Sequence, residues 1–165
     1  MSNLSPAQLN PTYVVTLDLT KTLAEMIKAG AYAYANFDIN EKNFPMRRPE
    51  ARVDSAYLTS PPEISLELIH YNQVMMTQEV KADFARRGLV PGELAHLLAL
   101  CMHPQYKDLQ RQFSLIALGS SWVDPDGYRR VPCLDGLGGG RYLYLRRVVP
   151  GYGWDGDCRF VAVRK

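Results

Sequence analysis

The run CRFVAVRK at 158–165 is the segment that most restricts the fold. As a strand it turns Phe160 and Ala162 to one side and Val161 and Val163 to the other, so both sides are apolar. Such a strand belongs in the middle of a sheet rather than at its edge. Three more β-like runs precede it: SLIALGSSWV from Ser114, YRRVPCL from Tyr128 and RYLYLRRVV from Arg141. Turn signals separate the runs, namely DPDG (124–127), DGLGGG (135–140) and PGYGWDGD (150–157).

The earlier part of the chain mixes strands with short helices. TYVVTLDL (12–19) alternates Tyr13, Val15, Leu17 and Leu19 on one face, the period of a half-buried strand. Thr22 and Glu25 form a capping-box pattern, Leu23, Met26 and Ile27 supply the stripe, and Gly30 the stop. EISLELIHYN (63–72) reads as a strand with Ile64, Leu66 and Leu68 facing one way. Thr77 is expected to cap a helix carrying Val80 and Phe84 and ended by Arg86, Arg87 and Gly88. Pro91 is expected to open another, with Leu94, Leu97, Leu98 and Cys101 on one face and Pro104 after its end. Residues 36–62, rich in proline and without period, read as an irregular connection. The expected architecture is α+β: a loose leader over 1–11, then one domain over 12–165. Its strand-and-helix half (12–112) shares a core with an antiparallel half (113–165), and a chain of 165 residues suits one such core.

Charge narrows the partners. The chain carries a formal +2, too little for a global field that attracts long nucleic acid. After Phe113, however, eight Lys/Arg face five Asp, and seven of the eight are arginine, suited to bidentate contacts with carboxylate or phosphate. Cys101, Cys133 and Cys158 show neither a disulfide framework nor zinc-site spacing. No basic-then-apolar leader opens MSNLSPAQLNPTY, and no apolar run reaches the roughly 20 residues of a membrane helix. The expectation is a reduced, cytoplasmic protein of a bacterium or phage.

DGLGGGRYLYLRRVV (135–149) invites a phosphate cradle, but a P-loop needs Lys-Ser/Thr opening a helix. Here Gly138, Gly139 and Gly140 lead into β-prone Arg141-Tyr142-Leu143-Tyr144, so they serve a hairpin needing positive φ. The following strand sends Leu143 and Leu145 one way and Tyr142, Tyr144 and Arg146 the other. That second face is either a solvated sheet surface or a recognition face, since Tyr, Trp and Arg are enriched in binding hot spots. The candidate ligand-binding set is Trp122, Arg129, Arg130, Arg141, Tyr142, Tyr144, Arg146 and Trp154.

Other chemistry finds less support. His96, Cys101 and His103 lack a further pair at zinc-like spacing, and His96 is expected on an exposed helix side. Ser120 and Ser121 lack a nucleophile elbow. Asp124, Asp126, Asp135, Asp155 and Asp157 fall in turns, where aspartate caps local amides, and match no calcium loop. No nucleophile–base set, metal or cofactor is expected, and the chain reads as a non-enzyme.

GLVPGELAHLLAL (88–100), LIALGSSW (115–122), RYLYLRR and WDGDCRFVAVRK together resemble bacterial C-type lectin-like domains over 88–165. The group includes domains akin to the formylglycine-generating enzyme and the variable proteins of diversity-generating retroelements. Val90 and Gly92 stand where that pattern carries arginine and threonine. The resemblance implies late loops and strands that display binding side chains. It does not imply sugar binding or formylglycine chemistry, because the calcium-site motifs and the cysteine pair are absent. The whole chain, including LAEMIKAGAY and NFP, also resembles uncharacterised bacterial and phage-associated proteins. The expected function is a non-enzymatic binding protein that offers an Arg/Tyr/Trp face to a protein or a small anionic ligand. Two alternatives are a phage-type protein sequestering a nucleotide signal and a hydrolase using the loop aspartates.

Overall fold

The computed structural model describes residues 11–46 and 61–165. Nearly all of the leader assigned to 1–11, and 47–60 of the connection assigned to 36–62, lie outside the described residues. The elements in chain order are β1 (Thr12–Thr16), α1 (Leu23–Gly30), β2 (Tyr34–Ala35), β3 (Glu63–His70), α2 (Thr77–Arg87) and β4 (Leu89–Pro91). Then come α3 (Leu94–Met102), a 3-10 turn (Leu109–Arg111), β5 (Leu115–Ile116), β6 (Trp122–Val123), β7 (Arg129–Leu137), β8 (Gly140–Arg147) and β9 (Arg159–Arg164).

The nine strands of the described residues join one sheet, in the order β1-β3-β9-β5-β7-β8-β2, with β4 on β9 and β6 on β7. The expected α+β class holds, and β9 lies inside the sheet. An antiparallel C-terminal half does not hold. β9 runs parallel to β5 and antiparallel to β3, so Leu66 of the first half faces Val163 of the second. Apolar on both faces, β9 lies where both sides of the sheet are covered, between β3 and β5.

The sheet has two unequal faces. On the first, Leu66, Leu68, Leu134, Leu143, Leu145 and Val161 pack with Met26 of α1 and Leu97 and Leu98 of α3. On the second, Ile69, Ile116, Cys133, Phe160 and Ala162 pack with Val80 and Phe84 of α2 and with Trp154. Apolar burial of this kind, worth about 25 cal/mol per Å², is the main favourable term on both sides.

Helix ends hold three departures from the sequence reading. Thr22 caps α1 as expected, accepting the Glu25 amide at 3.1 Å, but the left-handed residue at the other end is Ala31 (φ 49°). Gly30 is needed instead because a Cβ there would lie 2.3 Å from the Tyr32 ring. Thr77 does not cap α2. Met76 takes that position, its amide donating to Glu79 at 2.7 Å, and the Thr77 hydroxyl accepts the Trp154 indole N–H at 2.8 Å. Pro91 closes β4 rather than opening α3, because the next amide, Gly92, still pairs with the Val161 carbonyl at 2.7 Å. Gly88, at φ 70°, ends α2 as expected. Among the described residues, no helix is long and apolar enough to cross a membrane.

Candidate binding face

The hairpin between β7 and β8 is tighter than the glycine run suggests. Only Gly138 and Gly139 form its loop, at φ 58° and 83°, the two positive values a type I′ turn demands. The Arg111 guanidinium donates to the Gly139 carbonyl and pins the loop to the 3-10 turn. A two-residue loop lets β7 run on to Leu137, so Asp135 is a strand residue opposite Tyr142 and not a turn residue.

That register brings Val131, Cys133 and Asp135 onto the second face beside Arg146, Tyr144 and Tyr142. One carboxylate oxygen, Asp135 Oδ2, accepts from Tyr144 Oη at 2.8 Å, Ser114 Oγ at 2.8 Å and Arg146 Nη2 at 3.2 Å. Arg146 Nε also donates to Tyr144 Oη at 3.1 Å, and Nη2 to Ser114 Oγ at 3.3 Å. The pair is half-hidden, with side-chain exposures of 28% for Arg146 and 16% for Asp135.

Protonation states follow from those contacts. Burial pushes the Asp135 carboxyl up, but the hydrogen bonds from Tyr144, Ser114 and the Gly136 amide, with the Arg146 charge, hold it below the usual carboxylate range. Burial, aided by the bond to Asp135, raises the Tyr144 phenol to about 12. At neutral pH the cluster is a carboxylate, a phenol and a guanidinium whose charges cancel. Burial raises the pKa of the Cys133 and Cys158 thiols nearby, as it raises Cys101 to about 12, and keeps them protonated at neutral pH.

The eight expected ligand-binding residues do not share one surface. Arg129, Tyr142, Tyr144 and Arg146 do stand together on the second face. Arg129 is exposed and donates to Ser121 Oγ at 2.7 Å. Trp122 and Arg130, facing each other across β6 and β7, lie on the opposite side. There Arg130 is bound to Asp124 at 2.7 Å, and both border a cavity of about 240 Å³ with Asp38 and Asp126. Trp122 packs on Phe44, ring centroids 6.4 Å apart.

Arg141 and Trp154 are interior. Arg141 is 8% exposed and donates to three main-chain carbonyls, Lys107 at 3.0 Å, Cys101 at 3.1 Å and Gly30. Its place on β8 with Leu143 and Leu145 sends it inward by parity. Trp154 is 7% exposed, edge-on to Phe160 and anchored to Thr77. Neither presents a binding group, which corrects the expected set.

Asp135 and Ser114 are the residues that the expected set lacked. Reading Gly138-Gly139 alone as the loop would have extended the strand and put Asp135 diagonally across from Tyr144. Asp124 and Asp135, two of the expected loop aspartates, lie on opposite faces of the sheet. Asp124 serves Arg130 and the amides of Asp126 and Tyr128 on the first side, while Asp135 faces the second. Of His96, Cys101 and His103, where no metal was expected, His103 stacks on Tyr106 and Cys101 donates to Gln110 at 3.3 Å. No family model, no curated protein and no solved structure matches the chain.

Proposed function

We propose that the protein is a non-enzymatic binding module whose recognition surface is the part of the second sheet face bearing Arg129, Tyr142, Tyr144 and Arg146. The observation that carries this reading is the fixed hydrogen-bond network among Asp135, Tyr144, Arg146 and Ser114. Side chains already held in place lose little rotamer freedom on binding, and Tyr and Arg are the residue types that most often anchor interfaces. Strand side chains standing on a sheet favour a broad protein partner over an enclosed small molecule.

Charge suggests the partner's character. Asp135 neutralises Arg146, whereas Arg129 on the same face meets the Ser121 hydroxyl and has no carboxylate partner among the described residues. An acidic protein surface complements that excess. We further propose a C-type lectin-like kinship over 88–165, on its sequence motifs alone.

Polyaspartate serves as the acidic probe, titrated at low and at physiological salt. Saturable binding that weakens with salt, and weakens further in Arg129→Glu and Tyr144→Ala, is the expected result. A thermal-shift panel of cyclic nucleotides and ADP-ribose derivatives runs alongside, where a ligand at 100 times its Kd adds about 2.7 kcal/mol of stability. A nucleotide hit without polyaspartate binding replaces this reading with nucleotide sequestration. If neither probe binds, the face is only a solvated sheet surface.

A further inference from the structure

A separate concavity carries chemistry absent from the expected set. It encloses about 290 Å³ where Leu17 and Leu19, the turn around Phe44 and Met46, the start of α3 and the segment Gly119–Ser121 meet. His96, expected on an exposed helix side, lines it together with Ser120 and Ser121.

The first amides of α3 are already taken, so this is not a bare helix terminus. His96 Nδ1 accepts the Glu93 N–H at 2.9 Å, and Ser120 Oγ accepts the Leu94 N–H at 2.8 Å. A ring nitrogen that accepts carries no proton, so the proton of the neutral imidazole sits on Nε2. Burial lowers the His96 pKa against the opposing pull of Glu93, and the ring is neutral at neutral pH. Ser121 Oγ likewise accepts from Arg129 Nη1 at 2.7 Å. Each of the three side chains has therefore spent acceptor capacity on an N–H and keeps its own proton to give. None of them makes a further hydrogen bond among the described residues.

Three donors thus border one space whose other walls include Leu17, Leu19, Phe44 and Met46. Donors without acceptors call for a ligand group rich in lone pairs, and apolar walls call for a hydrocarbon body. We propose that this cavity binds a small monocarboxylate with an apolar tail, its carboxylate held by His96 Nε2–H and the hydroxyls of Ser120 and Ser121.

Hexanoate, hexan-1-ol and inorganic phosphate are the probes, followed by calorimetry and by the NMR signals of the His96 ring. Hexanoate is expected to bind saturably and shift His96, with hexan-1-ol at least about tenfold weaker, as loss of a charge-assisted hydrogen bond predicts. Ser120→Ala should weaken hexanoate about tenfold while Ser120→Thr, which keeps the hydroxyl, should not. Should Ser120→Ala fail to fold, Ser121→Ala tests the same donor set from an exposed position. Equal binding of hexan-1-ol, binding of phosphate but not hexanoate, no saturable hexanoate binding, or no effect of either alanine variant would each overturn the assignment.

Discussion

Arg141 and Arg146 stand on one strand, yet they live in different chemistries. Arg141 points to the face covered by α1 and α3, where its guanidinium ties three main-chain carbonyls and lies over the Tyr32 ring at 5.1 Å. Arg146 points to the other face and meets a carboxylate, a phenol and a serine hydroxyl. The first arginine is part of the core. The second belongs to a half-exposed side-chain cluster on a surface that a partner could touch. Residue type is the same in both, so the parity of the strand decides the role.

The largest test of that contrast is Arg141→Leu. It leaves three main-chain carbonyls, two of them buried, without that donor and is expected to cost about 3 kcal/mol, read as a lowered denaturation midpoint at unchanged slope. A loss under about 1 kcal/mol would mean that water replaces the guanidinium and that the two faces are alike. Asp135→Asn should cost less, about 1–2 kcal/mol, since the network it disrupts is only half-buried. Tyr144→Phe combined with Asp135→Asn should then show coupling of about 0.5–1 kcal/mol, and strict additivity would deny the network.

Acid sharpens the comparison further. The folded pKa of Asp135 is lowered, so its contribution is present above the ordinary carboxylate range, near 3.9, and is lost as pH falls through the lower folded value. Asp135→Asn should therefore flatten the acid limb of the stability–pH curve, while Arg141→Leu lowers the whole curve without changing that limb's shape. Smallest of all, Arg147→Ala should shift stability by no more than about 0.5 kcal/mol, because that guanidinium only lies across Tyr128 at the surface.

Much of this was legible in residue order. Both-sided burial of β9, the alternation of Leu143 and Leu145 against Tyr142, Tyr144 and Arg146, and the Thr22 and Gly88 helix ends all follow from local rules. What escaped depends on pairing or on distant partners. Arg141 obeyed the same alternation as Leu143 but was grouped by its chemistry, and only Gly30, Cys101 and Lys107 reveal why a cation is tolerated there. Trp154 sits in a loop with no period at all, and its burial depends on Thr77, far away in the chain. Asp135 depended on whether the loop held two residues or six. His96 and Ser120 lie on different elements, and nothing local announces that they border one space.

The place of β9 has a consequence for how the molecule is made. It leaves the ribosome after the eight strands it joins or follows, yet Leu66↔Val163 and Leu115↔Arg159 show it bridging both flanks. The two flanks therefore wait, each with an unpaired edge, until that strand emerges. Contacts so distant in sequence close slowly, so the interval before β9 arrives is when the nascent chain is most open to wrong pairing and to chaperones.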